Sequence, residues 1–193
     1  MTDNGTTSIL FAGVGGQGIV LASSLLASVC LAAGHDVKQS EVHGMAQRGG
    51  SVTSHVRFGT AVLSPTIPRG EADFLIGFEL LETVRWSGFL KPSGALLVNT
   101  QRIDPITVAS GAAEYPDGLE EQLRARHRDT VLIDALDIAQ EAGNPRAVNL
   151  ALLGALSNRL PFPEDAWHQG ISQRVPPKTL TSNWAAFQAG RAR

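Results

Sequence analysis

Apolar and polar positions follow two different rhythms along the first third of the chain. Residues 8–12 form a short apolar run, glycines follow it, and residues 19–33 form an apolar segment of helix length that stops at Gly34. Residues 37–42 alternate weakly and residues 51–58 alternate clearly, with the two-residue period of half-buried strands. These patterns predict a strand, a tight turn, a helix and two further strands.

The remaining patterns continue the alternation of strands and helices. Gly59 and Thr60 permit a hairpin into a short strand at residues 61–64, and residues 100–118 predict an irregular connection with at most one short strand. Buried strands are predicted at residues 73–78, 94–98 and 130–133. Helices are predicted at residues 80–90, 119–127, 135–142, 149–160, 164–174 and 178–189. This order predicts an α/β, three-layer Rossmann-like fold with a mostly parallel sheet and a β-hairpin addition.

The composition is that of a soluble globular protein. With 193 residues, 43% of them hydrophobic and 18% charged, the chain can bury one substantial core, and we interpret residues 1–193 as one domain. The formal net charge of −2 gives no reason to expect a nucleic-acid partner, which would need a clustered basic excess. The apolar segment 19–33 is shorter than the roughly 20 residues of a membrane span, and no signal-peptide pattern opens the chain. We therefore expect a cytoplasmic protein without membrane contact.

Cys30 is the only cysteine of the sequence. An iron–sulfur cluster needs about four thiolates, so the chain can hold neither such a cluster nor an internal disulfide. The five histidines show no spacing typical of metal ligands, and we predict no metal site. Cys30 lies in an apolar helical segment and is expected in the core.

The segment GVGGQG, which we call the glycine turn (residues 13–18), fits the GxGxxG pattern between a predicted strand and a predicted helix. Unpaired amides at the start of a helix, together with the helix dipole, favour a bound anion such as a phosphate of a nucleotide or of coenzyme A. The alternative is that the glycines only let the helix pack on the sheet, and Gln17 can bond either a ligand or a loop. The candidate binding residues are Gly13, Gly15, Gly16, Gln17 and Gly18.

The ten residues EVHGMAQRGG, which we call the second loop (residues 41–50), bring a carboxylate, an imidazole, an amide and a guanidinium close together in sequence. Arg48 can grip a carboxylate or phosphate bidentately, and His43 can donate a hydrogen bond or move a proton near neutral pH. Local pairing of Glu41 with Arg48 and capping of a backbone carbonyl by His43 are the structural alternatives. The candidate residues for a substrate or interface loop are Glu41, His43, Gln47, Arg48, Gly49 and Gly50.

Three long stretches of the chain resemble one known family. They read FAGVGGQGIVLASSLLA, SEVHGMAQRGGSVTSHVRFG and SPTIPRGEADFLIGFELLETVR, and shorter matches follow at residues 149–160, 175–178 and 183–190. The chain resembles the gamma-type subunit of 2-oxoacid:ferredoxin oxidoreductases over nearly its whole length except residues 101–127. The HGM form of the second loop favours the indolepyruvate, or aryl-pyruvate, branch of that family.

The resemblance implies a function within a complex. Members of the family convert a 2-oxoacid, coenzyme A and oxidised ferredoxin into an acyl-CoA, carbon dioxide and reduced ferredoxin, using thiamine diphosphate, magnesium and 4Fe–4S clusters. This sequence has no Gly-Asp-Gly thiamine signature and too few cysteines for a cluster, so the resemblance implies a large alpha subunit that carries these cofactors. We expect the isolated chain to be inactive and to bind no cofactor alone. It could form a homodimer when isolated, and it would contact ferredoxin only through the complex.

Two other functions fit the same residues. A stand-alone NAD- or FAD-binding protein would use the glycine turn, with Glu41 as the ribose-binding acid, although Glu41 follows Gly18 by slightly more than the usual spacing. A scaffold subunit without a ligand site would use the glycines for packing alone. Binding of NAD to the isolated chain would favour the first of these two.

Overall fold

Six strands form the central sheet of the protein, whose computed structural model describes residues 5–43 and 50–193. The strands are β1 (Thr7–Val14), β2 (Asp36–His43), β3 (Ser51–Gly59), β4 (Ala72–Gly77), β5 (Leu90–Asn99) and β6 (Thr130–Ile133). They lie in the order β2-β3-β1-β4-β5-β6, and β3 alone runs antiparallel to its two neighbours. The other five strands point the same way, which confirms the mostly parallel sheet.

Helices cover both faces of this sheet. They are α1 (Ile19–Ala32), α2 (Leu80–Trp86), α3 (Ile106–Ala109), α4 (Leu119–Arg126), α5 (Ala135–Glu141), α6 (Val148–Ser157), α7 (Glu164–Arg174) and α8 (Leu180–Arg191). Along β1, Ile9 and Phe11 face the core formed with α1 and α5 to α8, while Leu10 and Ala12 face the core formed with α2 and α4. Such alternation is required of a strand that is covered on both sides. The three-layer α/β fold is thus confirmed.

The β-hairpin addition is present, but its predicted position was wrong. β2 and β3 form the antiparallel pair, whereas residues 61–64 form no strand. Side chains, rather than a partner strand, satisfy the backbone of that segment. The Asp36 carboxylate accepts a hydrogen bond from the Val62 N–H at 2.8 Å. The Arg57 guanidinium donates to the Ser64 carbonyl at 3.1 Å. Because these groups are already paired, no further ladder is needed there.

Two more boundaries differ from the predicted ones. The helix expected to reach residue 90 ends at Trp86, and a 3₁₀ turn (Ser87–Phe89) leads directly into β5 at Leu90. β5 therefore contains Pro92, which has no N–H to donate, and its pairing with β4 shifts register near its start, where such a residue is tolerated. Within residues 100–118 the structure has the short helix α3 and no strand.

Two glycines allow α6 and α8 to pack with their backbones in contact. A Cβ atom at Gly154 would lie 2.0 Å from the carbonyl oxygen of Phe187. A Cβ atom at Gly190 would lie 2.0 Å from the carbonyl oxygen of Ala151. Both distances are far below van der Waals contact, and backbone atoms cannot move aside as a flexible side chain can. The position of α6 against α8 therefore depends on these two residues.

We predict that Gly154→Ala lowers the free energy of unfolding by about 1–3 kcal/mol, the usual cost of overpacking a core. Helix propensity alone would predict the opposite sign, since alanine stabilises an interior helical position by about 1 kcal/mol relative to glycine. Urea unfolding measures the difference. Gly170→Ala in α7 is the matched control, because its Cβ would meet only side-chain methyl groups, of Val29 at 2.9 Å and of Leu25 at 3.8 Å, and no backbone atom within 4 Å. Equal stability of the two variants would contradict the prediction.

Candidate functional site

The glycine turn lies at the point where the chain connections of the sheet diverge. It leaves the carboxyl end of β1 and enters α1, which covers one face and leads towards β2 and β3. The neighbouring strand β4 leads through α2, on the other face, to β5. In open α/β sheets the crevice at such a switch point, outside the carboxyl ends of the strands, is where ligands bind. The fold therefore places the predicted turn where a ligand site is expected.

Three positions of the turn require glycine, and the physical reasons differ. Gly16 and Gly18 have φ angles of 104° and 79°, in the left-handed region that glycine adopts without strain. Gly13 is required by space, because a Cβ atom there would lie 2.6 Å from the Cβ of Phe78. Gly18 is also the N-cap of α1, whose first turn contains no acidic residue. The positive end of the α1 dipole is thus not neutralised by a carboxylate of its own first turn.

Gln17 fixes the turn to the adjacent strand through both ends of its amide. Its Oε1 accepts a hydrogen bond from the Val14 N–H at 2.8 Å, and its Nε2 donates to the Phe78 carbonyl at 2.7 Å. Phe78 directly follows β4, so this one side chain joins the carboxyl ends of β1 and β4. From the sequence, the Gln17 side chain could bond either a ligand or a loop. The observed contacts with the protein backbone favour the second alternative.

The end of the second loop contacts the glycine turn. The Gly15 N–H donates to the Gly50 carbonyl at 3.0 Å, so the two predicted candidate segments are neighbours in space. Gln47, Arg48 and Gly49 lie outside the described residues, as does the side chain of His43. Their predicted roles therefore rest on the sequence.

Glu41 lies on β2, where its carboxylate accepts a hydrogen bond from Gln39 Nε2 at 3.3 Å. β3 lies between β2 and β1 in the sheet. In a dinucleotide-binding fold, the first helix leads to a second strand that pairs with the first one. The ribose-binding acid follows this second strand. Glu41 is one strand too far away for that arrangement, which counts against its predicted role as a ribose-binding acid.

A cleft of about 650 Å³ opens beside the glycine turn, within the size range of small-molecule sites. Its opposite wall contains Gln101, Ile103 and the first residues of α6. Asn149, which is only 3% exposed, also lines the cleft, and its Nδ2 donates to the Gly18 carbonyl at 3.5 Å. Sequence reasoning did not single out Asn149. The signal was a polar residue at the start of an otherwise apolar helix.

A buried carboxylate supports the wall that contains Ile103. Glu79 is 1% exposed, and its side chain accepts hydrogen bonds from the Glu82 N–H at 2.8 Å and from the Tyr115 hydroxyl. It also accepts a long bond from the Ile103 N–H at 3.5 Å. Burial and the contact with Glu79 raise the pKa of Tyr115 above its usual range. The irregular segment 100–118 is therefore attached to the end of β4 at the edge of the cleft.

The described residues do not fit the cofactors that the family resemblance implies. Cys30 is completely buried, burial raises the pKa of its thiol to about 12, and one thiol cannot hold a cluster that needs about four. Across residues 5–43 and 50–193 there is no group of three or more histidine, cysteine or acidic side chains arranged to hold a metal ion. In the same part of the chain, no helix combines the length and apolar character needed to cross a membrane.

The fold and the cleft define an α/β protein whose glycine turn and helix N-terminus line a ligand-sized crevice at the switch point of the sheet. The chain belongs to the pyruvate ferredoxin/flavodoxin oxidoreductase family, whose model matches residues 8–193. It is 41% identical over 189 residues to the indolepyruvate oxidoreductase subunit IorB of Thermococcus kodakarensis, covering 95% of this chain and 93% of that protein. It is 30% identical over 151 residues to the pyruvate/ketoisovalerate oxidoreductases common subunit gamma of Pyrococcus abyssi, covering 77% and 75%.

Among solved structures, the gamma subunit of the keto/oxoacid ferredoxin oxidoreductase from Geobacter sulfurreducens superposes with a TM-score of 0.70 and 25% identity, covering 95% of each chain. The resemblance to gamma-type subunits is thereby confirmed, and this protein is a small subunit of an oxidoreductase complex of that family. The greater identity to the indolepyruvate relative than to the pyruvate/ketoisovalerate relative also confirms the branch indicated by the second loop.

We predict that Gln17→Ala lowers the free energy of unfolding by about 1–3 kcal/mol, because the Val14 N–H loses its side-chain partner and the Phe78 carbonyl keeps only the bond from Asn99 Nδ2. Gln17→Glu should be no better, since its second oxygen would face the Phe78 carbonyl oxygen. Thermal and urea unfolding of the purified chain measure both changes. Gln169→Ala, on the exposed surface of α7, is the control and should unfold close to the parent protein. A Gln17→Ala variant as stable as this control would exclude the joining role.

Proposed function

We propose that this protein is the cluster-free small subunit of a ferredoxin oxidoreductase that acts on indolepyruvate or another aryl-pyruvate. The observation that carries the proposal is the 41% identity to an indolepyruvate oxidoreductase subunit over 95% of the chain. The reaction oxidatively decarboxylates the 2-oxoacid, transfers the acyl group to coenzyme A and passes the electrons to ferredoxin. A cytoplasmic location is part of the same proposal.

The proposal assigns the redox cofactors to a large alpha subunit. Thiamine diphosphate with magnesium activates the 2-oxoacid when bound there, and 4Fe–4S clusters carry the electrons. This chain has a single, buried cysteine and no Gly-Asp-Gly sequence, which supports a division of labour between the two subunits. Its own part is then to complete the active assembly and to bind the coenzyme A that accepts the acyl group.

We further place a coenzyme A phosphate at the glycine turn. Gly16 supports this assignment, because a Cβ atom there would meet nothing within 4 Å. Its left-handed conformation therefore does not serve packing, and it leaves the backbone of the turn exposed at the cleft. The positive end of α1, which has no side-chain cap and no acidic residue in its first turn, lies at the same place. Backbone amides and a helix dipole together are a general phosphate site.

A scaffold role without any ligand is the second candidate, because two groups of the glycine turn are occupied by the protein itself. The Gln17 amide bonds β1 and β4, and the Gly15 N–H bonds Gly50. A stand-alone dinucleotide-binding protein is less favoured, since Glu41 is separated from β1 by an intervening strand. A measurement of coenzyme A binding distinguishes a scaffold subunit, which would not bind it, from a subunit with a ligand site.

Co-expression with the large subunit encoded by the same organism tests the proposed complex. We expect the two chains to co-purify under anaerobic conditions and to reduce ferredoxin with indolepyruvate and coenzyme A. The isolated chain should show neither cluster absorption nor turnover, because it lacks the thiolates and the thiamine signature. Pyruvate and 2-oxoglutarate serve as comparison substrates. Turnover by the pure chain, or separate elution of the two chains, would overturn the proposal.

Arg48 is the side chain of the second loop that we expect to contact an anionic substrate or coenzyme A. Arg48→Ala should leave assembly intact and lower kcat/KM about ten- to a hundredfold, corresponding to about 1.5–3 kcal/mol for one charge-assisted contact. Arg48→Lys should rescue poorly if the contact is bidentate, because an ammonium lacks the planar fork. Arg124→Ala, on the exposed surface of α4, is the control. A stable, assembled Arg48→Ala complex with unchanged kinetics would remove Arg48 from the site.

A further inference from the structure

Both ends of the irregular segment between β5 and α4 meet at one buried carboxylate. We call residues 101–116 of this segment the strap. The Ile103 N–H, near its start, and the Tyr115 hydroxyl, near its end, donate to the same oxygen, Oε1 of Glu79. Glu79 therefore closes residues 104–114 into a surface loop whose two ends lie side by side. Compact loops of this kind frequently carry function.

The strap is also bonded within itself. The Val108 N–H donates to the Pro105 carbonyl at 2.9 Å, and the Ala113 N–H donates to the Thr107 carbonyl at 3.0 Å. None of residues 104–114 whose side chains the structure describes is buried. The loop thus keeps its own shape through internal bonds, while the bonds at Glu79 attach it to the sheet. Such a unit can change its position without unfolding.

The two oxygens of Glu79 have separate roles. Oε2 accepts a hydrogen bond from the Glu82 N–H at 2.8 Å and caps α2, whereas Oε1 accepts from the strap. Glu79 is 1% exposed and forms no ion pair in the part of the chain that the structure describes. A buried carboxylate without a cation depends on its hydrogen-bond donors. The strap bonds are therefore charge-assisted, and α2 keeps its cap if they break.

The strap forms part of the cleft beside the glycine turn, because Gln101 and Ile103 line that cleft. At the start of the strap, Gln101 Oε1 accepts from Nδ2 of Asn99, which is completely buried at the end of β5, at 3.3 Å. Beyond the other end, Gly118 has a φ of 69°, in the region that glycine adopts without strain. Hinges are usually a few such residues at the ends of elements, so the strap can turn about residues 101 and 118.

We propose that the strap is a hinged wall of the cleft and that the bond between Tyr115 and Glu79, which we call the latch, holds it closed. Opening the latch releases the Ile103 N–H and moves Ile103 away from the glycine turn, so the cleft loses one wall. A ligand that contacts Ile103 or Gln101 favours the closed form, because it binds that form better. The inference rests on the proposed function only for the identity of this ligand, coenzyme A.

Residue-resolved amide hydrogen exchange of the full chain, measured by NMR without ligand, tests the latch. Tyr115→Phe removes the hydroxyl but keeps the ring, whose centroid lies 4.2 Å from the guanidinium carbon of Arg102. The Ile103 N–H should then exchange about ten- to a hundredfold faster, as expected for the loss of one charge-assisted bond. The N–H groups of Val108 and Ala113 should stay within about twofold of the parent protein, because their bonds lie inside the strap.

Ser110→Ala is the matched control for the latch variant. It removes a hydroxyl that donates to the Thr107 carbonyl at 3.2 Å, inside the strap, and should leave the exchange of the Ile103 N–H unchanged. Equal exchange of Ile103 in Tyr115→Phe and in the parent protein would overturn the latch. Faster exchange of all strap amides together would indicate local unfolding instead of a hinged motion and would also overturn the inference.

Coenzyme A tests whether the strap controls the cleft. Added coenzyme A should slow the exchange of the Ile103 N–H in the parent chain. In the assembled complex, Tyr115→Phe should raise the KM for coenzyme A several-fold while kcat changes little, because less of the protein has the closed cleft. An unchanged KM despite faster Ile103 exchange would overturn the strap as a wall of the cleft. If coenzyme A changes neither exchange nor turnover, the coenzyme A site of the proposed function fails, and the exchange of the ligand-free chain still decides on the latch.

Discussion

The amide of Gln17 joins the two strand ends on which the candidate site depends. β1 and β4 pair in the sheet as far as Ala12 and Gly77, and the contacts of Gln17 with Val14 and Phe78 continue this connection beyond the last paired residues. α1 begins at Ile19, two residues after Gln17, so these contacts lie directly beside the positive end of its dipole. A site that binds an anion through backbone groups needs such support, because those groups cannot adjust by changing rotamer.

The other walls of the cleft come from distant parts of the chain and are connected to these strand ends by hydrogen bonds. Glu79 connects the end of β4 to the segment that contains Ile103 and Tyr115. Asn149 connects the start of α6 to Gly18, across 131 residues of sequence. Two buried polar side chains, each with its hydrogen bonds, therefore hold irregular backbone in place around the opening. Buried polar groups of this kind are expensive unless they are paired, and pairing makes the geometry specific.

Local patterns predicted most elements because each pattern has a local cause. The apolar run before the glycine turn, the apolar length of α1 and the alternation along β3 all follow from burial on one or two faces. The strand expected at residues 61–64 failed because Asp36 and Arg57, which belong to other strands, satisfy its backbone. The helix expected to reach residue 90 failed because β5 starts before Pro92, at an irregular pairing that the sequence does not show.

The sequence by itself determined the glycine turn between a strand and a helix, the absence of cluster ligands and the family branch indicated by the second loop. These three features depend on residue identity and on spacing over a few residues. Only the tertiary structure decided that β3 lies between β1 and β2, that Gly15 meets Gly50, and that Ile103 and Asn149 line the same cleft as the glycine turn. Strand order and the convergence of distant segments follow from how whole helices and strands pack against one another, and no short stretch of sequence encodes that packing.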